Sequence, residues 1–349
     1  VWSETDLRAV LTDQEYGILE NYFGLAGEPN FEGRWHLNIN RNTDFELLAD
    51  NPDIAVLLDS AMDKLRVLRS ERIPPQRDEK IIASWNGLMV AAMARAGRLL
   101  QRPQFVESAE RAITCLRNNH WQGNRMLSIC TNGSSSLNGY LDDYAFVLLG
   151  LLEMLQTRWH TPHLNWAMDI ANSMLELFED PDQGGFYFTS HDHEKLLYRP
   201  KSGADDSIPS GNGAAVLGLL KLGHLTGEAR YLNSADRALK LFNDELTRQP
   251  AVDGMLTLAL QALESPTAIV RGQLESFSNW QVGPETKNAS KVDRFYIPAQ
   301  ERNLPAGLAV RRYTGEPCAY LCAATNCSPP ILDPEEFRQT VNSGEWTFA

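Results

Sequence analysis

Residues 84–100 read SWNGLMVAAMARAGRLL and residues 210–226 read SGNGAAVLGLLKLGHLT, two apolar stretches each opened by Ser-x-Asn-Gly. Taken alone, such a tetrapeptide marks a helix start, since Ser84 and Ser210 can accept hydrogen bonds from free backbone N–H groups. The residues beyond the tetrapeptides decide more. With Asn86 laid on Asn212, Phe105 falls on Tyr231 without a gap. The match therefore runs through a loop into a second helix, FVESAERAITCLRNNHW from 105 and YLNSADRALKLFNDEL from 231. A third copy lies between them: DDYAFVLLGLLEMLQ from 142, the loop TRWHTPH, then LNWAMDIANSMLELF from 164. There Asp143 stands where the others have serine, and Tyr144 where the first has Trp85. Repeats of this size imply stacked supersecondary units.

The two helices of each unit differ. The first is apolar nearly all round (Phe146 to Leu149, Leu151, Leu152, Met154 and Leu155 in the middle copy), so it must be buried on most sides. The second carries one stripe, such as Leu164, Ala167, Ile170, Ala171, Met174, Leu175 and Phe178. A buried helix alternating with a half-exposed one predicts an inner ring inside an outer ring, an (α/α)6-type toroid of helical hairpins; an open solenoid is the alternative. The predicted toroid spans 1–266, with N-terminal helices in 1–72 and repeated hairpins in 84–264. Thr12-Asp13-Gln14-Glu15 and Thr43-Asp44-Phe45-Glu46 have the form of capping boxes, and 52–70 reads as a further helix. A short β-hairpin insertion is expected near Gly184–Thr189. Beyond Pro266 the period is lost, and Thr267–Arg271, Phe295–Pro298 and Cys318–Cys322 read as strands of a small α/β appendix, 267–349.

Composition narrows the function. Of 349 residues 43% are hydrophobic and 22% charged, with net charge -13. An acidic chain without a basic stripe is a poor partner for phosphate backbones or anionic lipid, so neither nucleic acid nor membrane is expected. No apolar run approaches the ~20 residues that span a bilayer. The opening Val1-Trp2-Ser3 lacks a methionine and reads as a fragment or processed form. Five cysteines are too few and too uneven for a disulfide framework, which points to the cytoplasm. Cys322-x4-Cys327 could be half a metal site or a redox pair; with no histidine beyond His224, neither metal nor cofactor is called for.

In a ring of hairpins the inner helices run the same way, so their N-termini gather at one mouth, where free N–H groups favour hydroxyl-rich or anionic ligands. The candidates stand just before those helices. Asp78, Lys80, Asp142, Asp143 and Asp206 are the catalytic set, and Trp85, Asn86, Tyr140, Tyr144, Tyr187, Ser210 and Asn212 the ligand-binding set. Two carboxylates flanking a glycosidic bond perform hydrolysis. The same acids can abstract a proton in an isomerase, with Lys80 stabilising an enediolate. Each candidate also has a plainer reading: Asp142 and Asp143 as caps, Asp206 as a solvated loop residue, Trp85 and Tyr144 as core plugs.

DEKIIASWNGLMVAAMARAGRLL, GYLDDYAFVLLGLLEM, DQGGFYFT, LLYRPKSGADDSIPSGNGAAVLGLLKLGHLTG and AYLCAATNCSPPILDP, in this order, resemble successive blocks of the thioredoxin-domain-containing family related to spermatogenesis-associated protein. The resemblance covers about Val1 to Pro334. It implies an upstream thioredoxin-like domain followed by a toroid similar to N-acylglucosamine 2-epimerases and six-hairpin glycosidases, hence carbohydrate chemistry on a small-molecule, sugar-like ligand. The alternative is a non-catalytic module that binds a ligand or client for the thioredoxin-like domain. Gln76 stands where the family has a histidine, and Glu79 where it has an aspartate. No histidine lies at the three inner-helix starts, so the histidine acid/base pair of the epimerases is not carried over.

Overall fold

The structure, a computed structural model, describes residues 1–40, 51–283, 286–323, 326–344 and 346. The chain forms two compact units, Val1–Asp78 and Glu79–Ala349.

The first unit holds α1 (Glu4–Val10), α2 (Asp13–Phe23) and α3 (Pro52–Ser70). The Thr12/Glu15 capping box forms as read, and Ser3 with Asp6 makes another. Buried Glu15 also accepts from Ser60 Oγ and Lys64 Nζ, both at 2.8 Å, which ties α2 to α3. Leu7, Leu19, Trp35, Ala61 and Leu65 fill the small core. The predicted box at 43–46 lies outside the described residues.

The second unit contains the repeats. The hairpins are α4 (Ala83–Leu99) with α5 (Pro103–Cys115), α6 (Leu141–Thr157) with α7 (Thr161–Phe178), and α8 (Gly211–Thr226) with α9 (Ala229–Leu241). After a short α10 (Asn243–Arg248) comes α11 (Gly254–Glu264). The inner helices pack in the order α4, α6, α8, α11, each outer helix lying on its own inner partner. This is the mainly helical toroid architecture read from the sequence, and its cause is the burial asymmetry. Phe146, Leu148, Leu151, Leu152 and Met154 of α6 are all fully buried, and so are most apolar residues of α8.

The α4–α6 crossing is close because glycines make it so. A Cβ on Gly87 would stand 2.6 Å from the backbone of Phe146 and Val147; one on Gly150 would stand 2.9 Å from Gly87 O. No side chain fits there.

Between the first two hairpins β3 (Arg125–Thr131) and β4 (Ser134–Asn138) form an antiparallel hairpin, flanked on β3 by β1 (Ile81–Ile82) and β2 (Trp121–Gln122). The insertion therefore sits earlier than the segment expected to form it; Glu179 and Phe186 make only an isolated bridge. Asn132-Gly133, both at positive φ, is the two-residue turn that announces such a hairpin.

The three C-terminal strands form as read: β5 (Thr267–Gly272), β6 (Asp293–Pro298) and β7 (Cys318–Ala323), in a sheet ordered β6-β5-β7-β8 with β8 Asn326–Cys327. One face, with Ile269, Phe295, Ile297 and Tyr320, joins the core of the hairpins. The other, with Ala268, Val270 and Leu321, packs on Trp280 and on Phe337 of α13 (Pro334–Ser343), the numbering counting the short α12 (Ala306–Ala309). The sheet thus contributes one face to the hairpin core and the other to a second core of its own. Cys322 and Cys327 face each other across the β7–β8 pair and are joined by a disulfide. Of the two readings of Cys322-x4-Cys327, half a metal site gives way, since the sulfurs are bonded to each other, and a redox pair is the one a disulfide fits. Among the described residues no helix is long and apolar enough to cross a membrane.

Candidate functional site

The starts of α4 and α6, and those of α8 and α11, are joined by carboxylates. Asp143 Oδ2 accepts from Tyr140 N at the start of its own helix, and Oδ1 accepts from Ser84 N in the first turn of α4, both at 2.9 Å. Asp205 does the same at the interval between α8 and α11. Its Oδ1 accepts from Ser210 N at 2.8 Å and its Oδ2 from Met255 N at 3.0 Å, joining α8 to α11. A carboxylate between two helix N-termini satisfies free N–H groups and meets two positive dipole ends.

The interval between α6 and α8 is different. Asp142 stands there, with Oδ1 so close to Gly211 that a Cβ would meet it at 2.1 Å. Asp142 has neither a hydrogen bond nor an ionic partner among the described residues. Burial, and then the charge of Asp143, push its carboxyl from the ordinary 3.8 up to about 6. It lines a cavity of about 210 Å³ together with Leu141, Phe188, Ser202, Asp206 and Ser210. At about 30 Å³ per water this is room for roughly seven waters, or one small ligand.

The walls are fixed by a buried side-chain amide, that of Asn212. Asn212 Oδ1 accepts from Phe186 N at 2.7 Å, while Nδ2 donates to Phe186 O at 2.8 Å and to Ser202 O at 3.1 Å. One side chain thus binds both ends of the 186–202 loop to α8. Phe188 stacks on Tyr140 at 4.8 Å and its carbonyl accepts from Leu141 N. Asn212→Ala is expected to cost about 2 kcal/mol, because it strands two buried backbone groups. Thermal melting, with limited proteolysis of 186–202, checks this; unchanged cleavage would contradict the clamp.

The sequence-predicted residues thus fall into distinct groups. Asp142 and Asp206 line the cavity, and Tyr140 and Phe188 stack beside it. Asp143 is 1% exposed and engaged on both oxygens, so its catalytic assignment gives way to a bridging one; burial raises its pKa. Tyr144 is not at the mouth: it is fully buried against Trp121 and Phe178, its hydroxyl accepting from Met126 N. Ser210 caps α8 through Gly213 N, as read, whereas Ser84 does not cap α4, whose N-cap is Ile82. Trp85 is 60% exposed, and Asn86 donates to Ile82 O. Tyr187 is sequestered by Asp180, which accepts from its hydroxyl at 2.9 Å, and by Arg199 over its ring. Lys80 is exposed ahead of β1, and Asp78 belongs to the first unit. The helix starts are neighbours, but Trp85, Tyr144 and Asn212 do not converge on one cavity. Asp205, the second bridge, was legible only as one of a pair of loop acids.

No protein-family model matches the chain. Among curated proteins it is similar to spermatogenesis-associated protein 20. It is 28% identical to that protein of Homo sapiens over 314 residues, covering 83% of this chain and 39% of the relative. The mouse protein is 27% identical over 320 residues, again 83% and 39%. The chain thus spans about two fifths of the length of these relatives. An uncharacterized protein of Caenorhabditis elegans is 20% identical over 375 residues, covering 98% of this chain and 51% of that protein. The resemblance carried by the ordered blocks is borne out. Among solved structures, cellobiose 2-epimerase of Spirochaeta thermophila matches with TM-score 0.39 and 16% identity, covering 47% of this chain and 43% of that one. A family 76 α-mannanase of Bacteroides thetaiotaomicron gives 0.41 and 14%, over 66% and 53%. Unsaturated glucuronyl hydrolase of Bacillus sp. GL1 gives 0.40 and 16%, over 56% and 58%.

Proposed function

We propose that the α6–α8 cavity is an acid–base site acting on a small sugar, with Asp142 as the proton-transferring group. One observation carries this reading. The equivalent bridges at the two flanking intervals, Asp143 and Asp205, are saturated by backbone N–H groups. Asp142 is left without a partner among the described residues and is held near 6, against a cavity wall. A carboxyl near 6 is populated in both protonation states around neutrality, the condition for efficient general acid–base transfer. Such strained placement is costly, and costly placements of titratable groups cluster at functional sites.

Asp206, exposed on the opposite loop, is the second acid of the cavity. As a pair the two fit either proton abstraction beside a sugar carbonyl or protonation of a glycosidic oxygen, Asp142 being the acid in the second case. The stacked Tyr140–Phe188 pair offers the apolar edge that a sugar face packs on. Incubation with reducing mono- and disaccharides and aryl glycosides in D2O, followed by NMR, separates the two. Deuterium at carbon adjacent to the carbonyl reports isomerase or epimerase action; a new reducing end reports hydrolysis. Ligand-induced thermal stabilisation without turnover would replace this reading by the binding-module one. The upstream thioredoxin-like domain and the sugar ligand belong to this proposal; the greater length of the curated relatives supports the former.

A further inference from the structure

Arg311 follows the short helix α12 and is 5% exposed. Its Nη1 donates to Gly307 O, which fixes the plane of the guanidinium. Its Nε and Nη2 both point at Cys327 Sγ, at 3.1 and 2.9 Å. Among the described residues no carboxylate pairs with it. A guanidinium stays protonated, and a buried charge without a counter-charge is costly. A disulfide sulfur is only a weak acceptor and does not offset that cost. A thiolate at the same point would.

We infer that Cys322–Cys327 is a redox-active pair whose reduced form is held as an ion pair between the Cys327 thiolate and Arg311. The inference is independent of proton transfer at Asp142. The two sulfurs are placed for different tasks. Cys322 is fully buried on the inner face of β7, while Cys327 is half-buried on the edge strand β8. Cys327 is accordingly the sulfur an incoming thiol reaches, and Cys322 the resolving one. With a dithiol as reductant, its thiolate attacks Cys327 Sγ and the Cys322–Cys327 bond breaks. Cys322 leaves with the electron pair and takes a proton. The second thiol of the reductant then attacks its own sulfur in the mixed disulfide and releases the Cys327 thiolate to Arg311. The dithiol ends as a disulfide, two electrons reside on the protein, and one of the two thiol protons goes to water. The reverse sequence reoxidises the protein pair and reduces a partner disulfide to a dithiol.

The test uses the full chain, reduced with dithiothreitol and freed of it. Iodoacetamide labelling at pH 6.5 is mapped by mass spectrometry, with the partly exposed Cys115 as internal reference. Cys327 is expected to label at least tenfold faster than Cys115. Arg311→Met should remove that advantage and Arg311→Lys should keep most of it. In glutathione buffers the native pair should be at least tenfold easier to reduce than the Arg311→Met pair. Should Arg311→Met fail to fold, Cys322→Ser gives the answer alone. Its Cys327 should label at a rate that stays level from pH 8 to 6.5, whereas a tenfold fall per pH unit would overturn the inference. Equal labelling of Cys327 and Cys115 in the native protein would also overturn it.

Discussion

Asp142→Asn is expected to lower turnover of the sugar substrate by at least a hundredfold while making the protein more stable at pH 7. The first effect comes from removing the proton-transferring group, which is ordinarily worth about 10²–10⁴ in rate. The second comes from linkage. Asp142 titrates near 6 in the folded chain against an ordinary 3.8, so the folded state holds the extra proton between these values. Stability is therefore lost as pH rises from about 4 to about 6, and the loss is complete above 6. A neutral amide of the same shape escapes it, for a gain of about 2 kcal/mol at pH 7 after allowing for the partial exposure of the site. The gain should vanish below about pH 4, where aspartic acid is neutral in both states. Melting curves of both proteins from pH 3.5 to 8 read this directly. Parallel curves would mean that Asp142 is not strained, and full activity in the variant would remove it from the chemistry.

Gly87→Ala is expected to cost about 3 kcal/mol, the upper range for overpacking a filled interior. The added methyl would meet Phe146 and Val147 backbone atoms at 2.6 Å, and backbone cannot rotate away as a side chain can. α4 and α6 would have to move apart, which strains the Ser84–Asp143 bridge at their starts. The natural control is Gly17→Ala within α2, where nothing lies within 4 Å of the new carbon and helix propensity gives a gain of about 0.5–1 kcal/mol. Urea unfolding of both, with the unfolding slope compared, checks the contrast. A Gly87→Ala protein as stable as its parent would contradict the close crossing.

The repeat made the fold legible. Each inner helix announces itself by an apolar surface with no polar face, each outer helix by a single stripe, and α6 and α8 are buried as that pattern requires. The strands at 267–272, 293–298 and 318–323 were equally plain, short apolar runs between polar loops. The hairpin at 125–138 is marked in the sequence only by its turn, Asn132-Gly133, because the largely exposed β4 (SSSLN) carries no apolar alternation.

The site was half legible. Periodicity located the helix starts, so Asp142, Asp206, Ser210 and Asn212 were drawn from the right places. It could not rank them, because aspartates adjacent in sequence look alike until each has met its neighbours. On a helix, residues 142 and 143 point about 100° apart. That rotation sends Asp143 to two backbone N–H groups and Asp142 to the face of Gly211 and the cavity. Tyr144, another turn of about 100° on, enters the core.

Sequence alone determined what depends on local pattern: the hairpin repeat, the burial of its inner helices, the strands of the C-terminal sheet and the absence of a basic stripe. Tertiary structure decided what depends on partners brought from far along the chain. It joined Ser84 to Asp143, Asp205 to Met255 and Arg311 to Cys327, merged the C-terminal sheet with the hairpin core, and left Asp142 unpaired among the described residues. Periodicity records which side of an element is buried, whereas the charge a carboxyl carries at neutral pH is fixed by the donors that surround it.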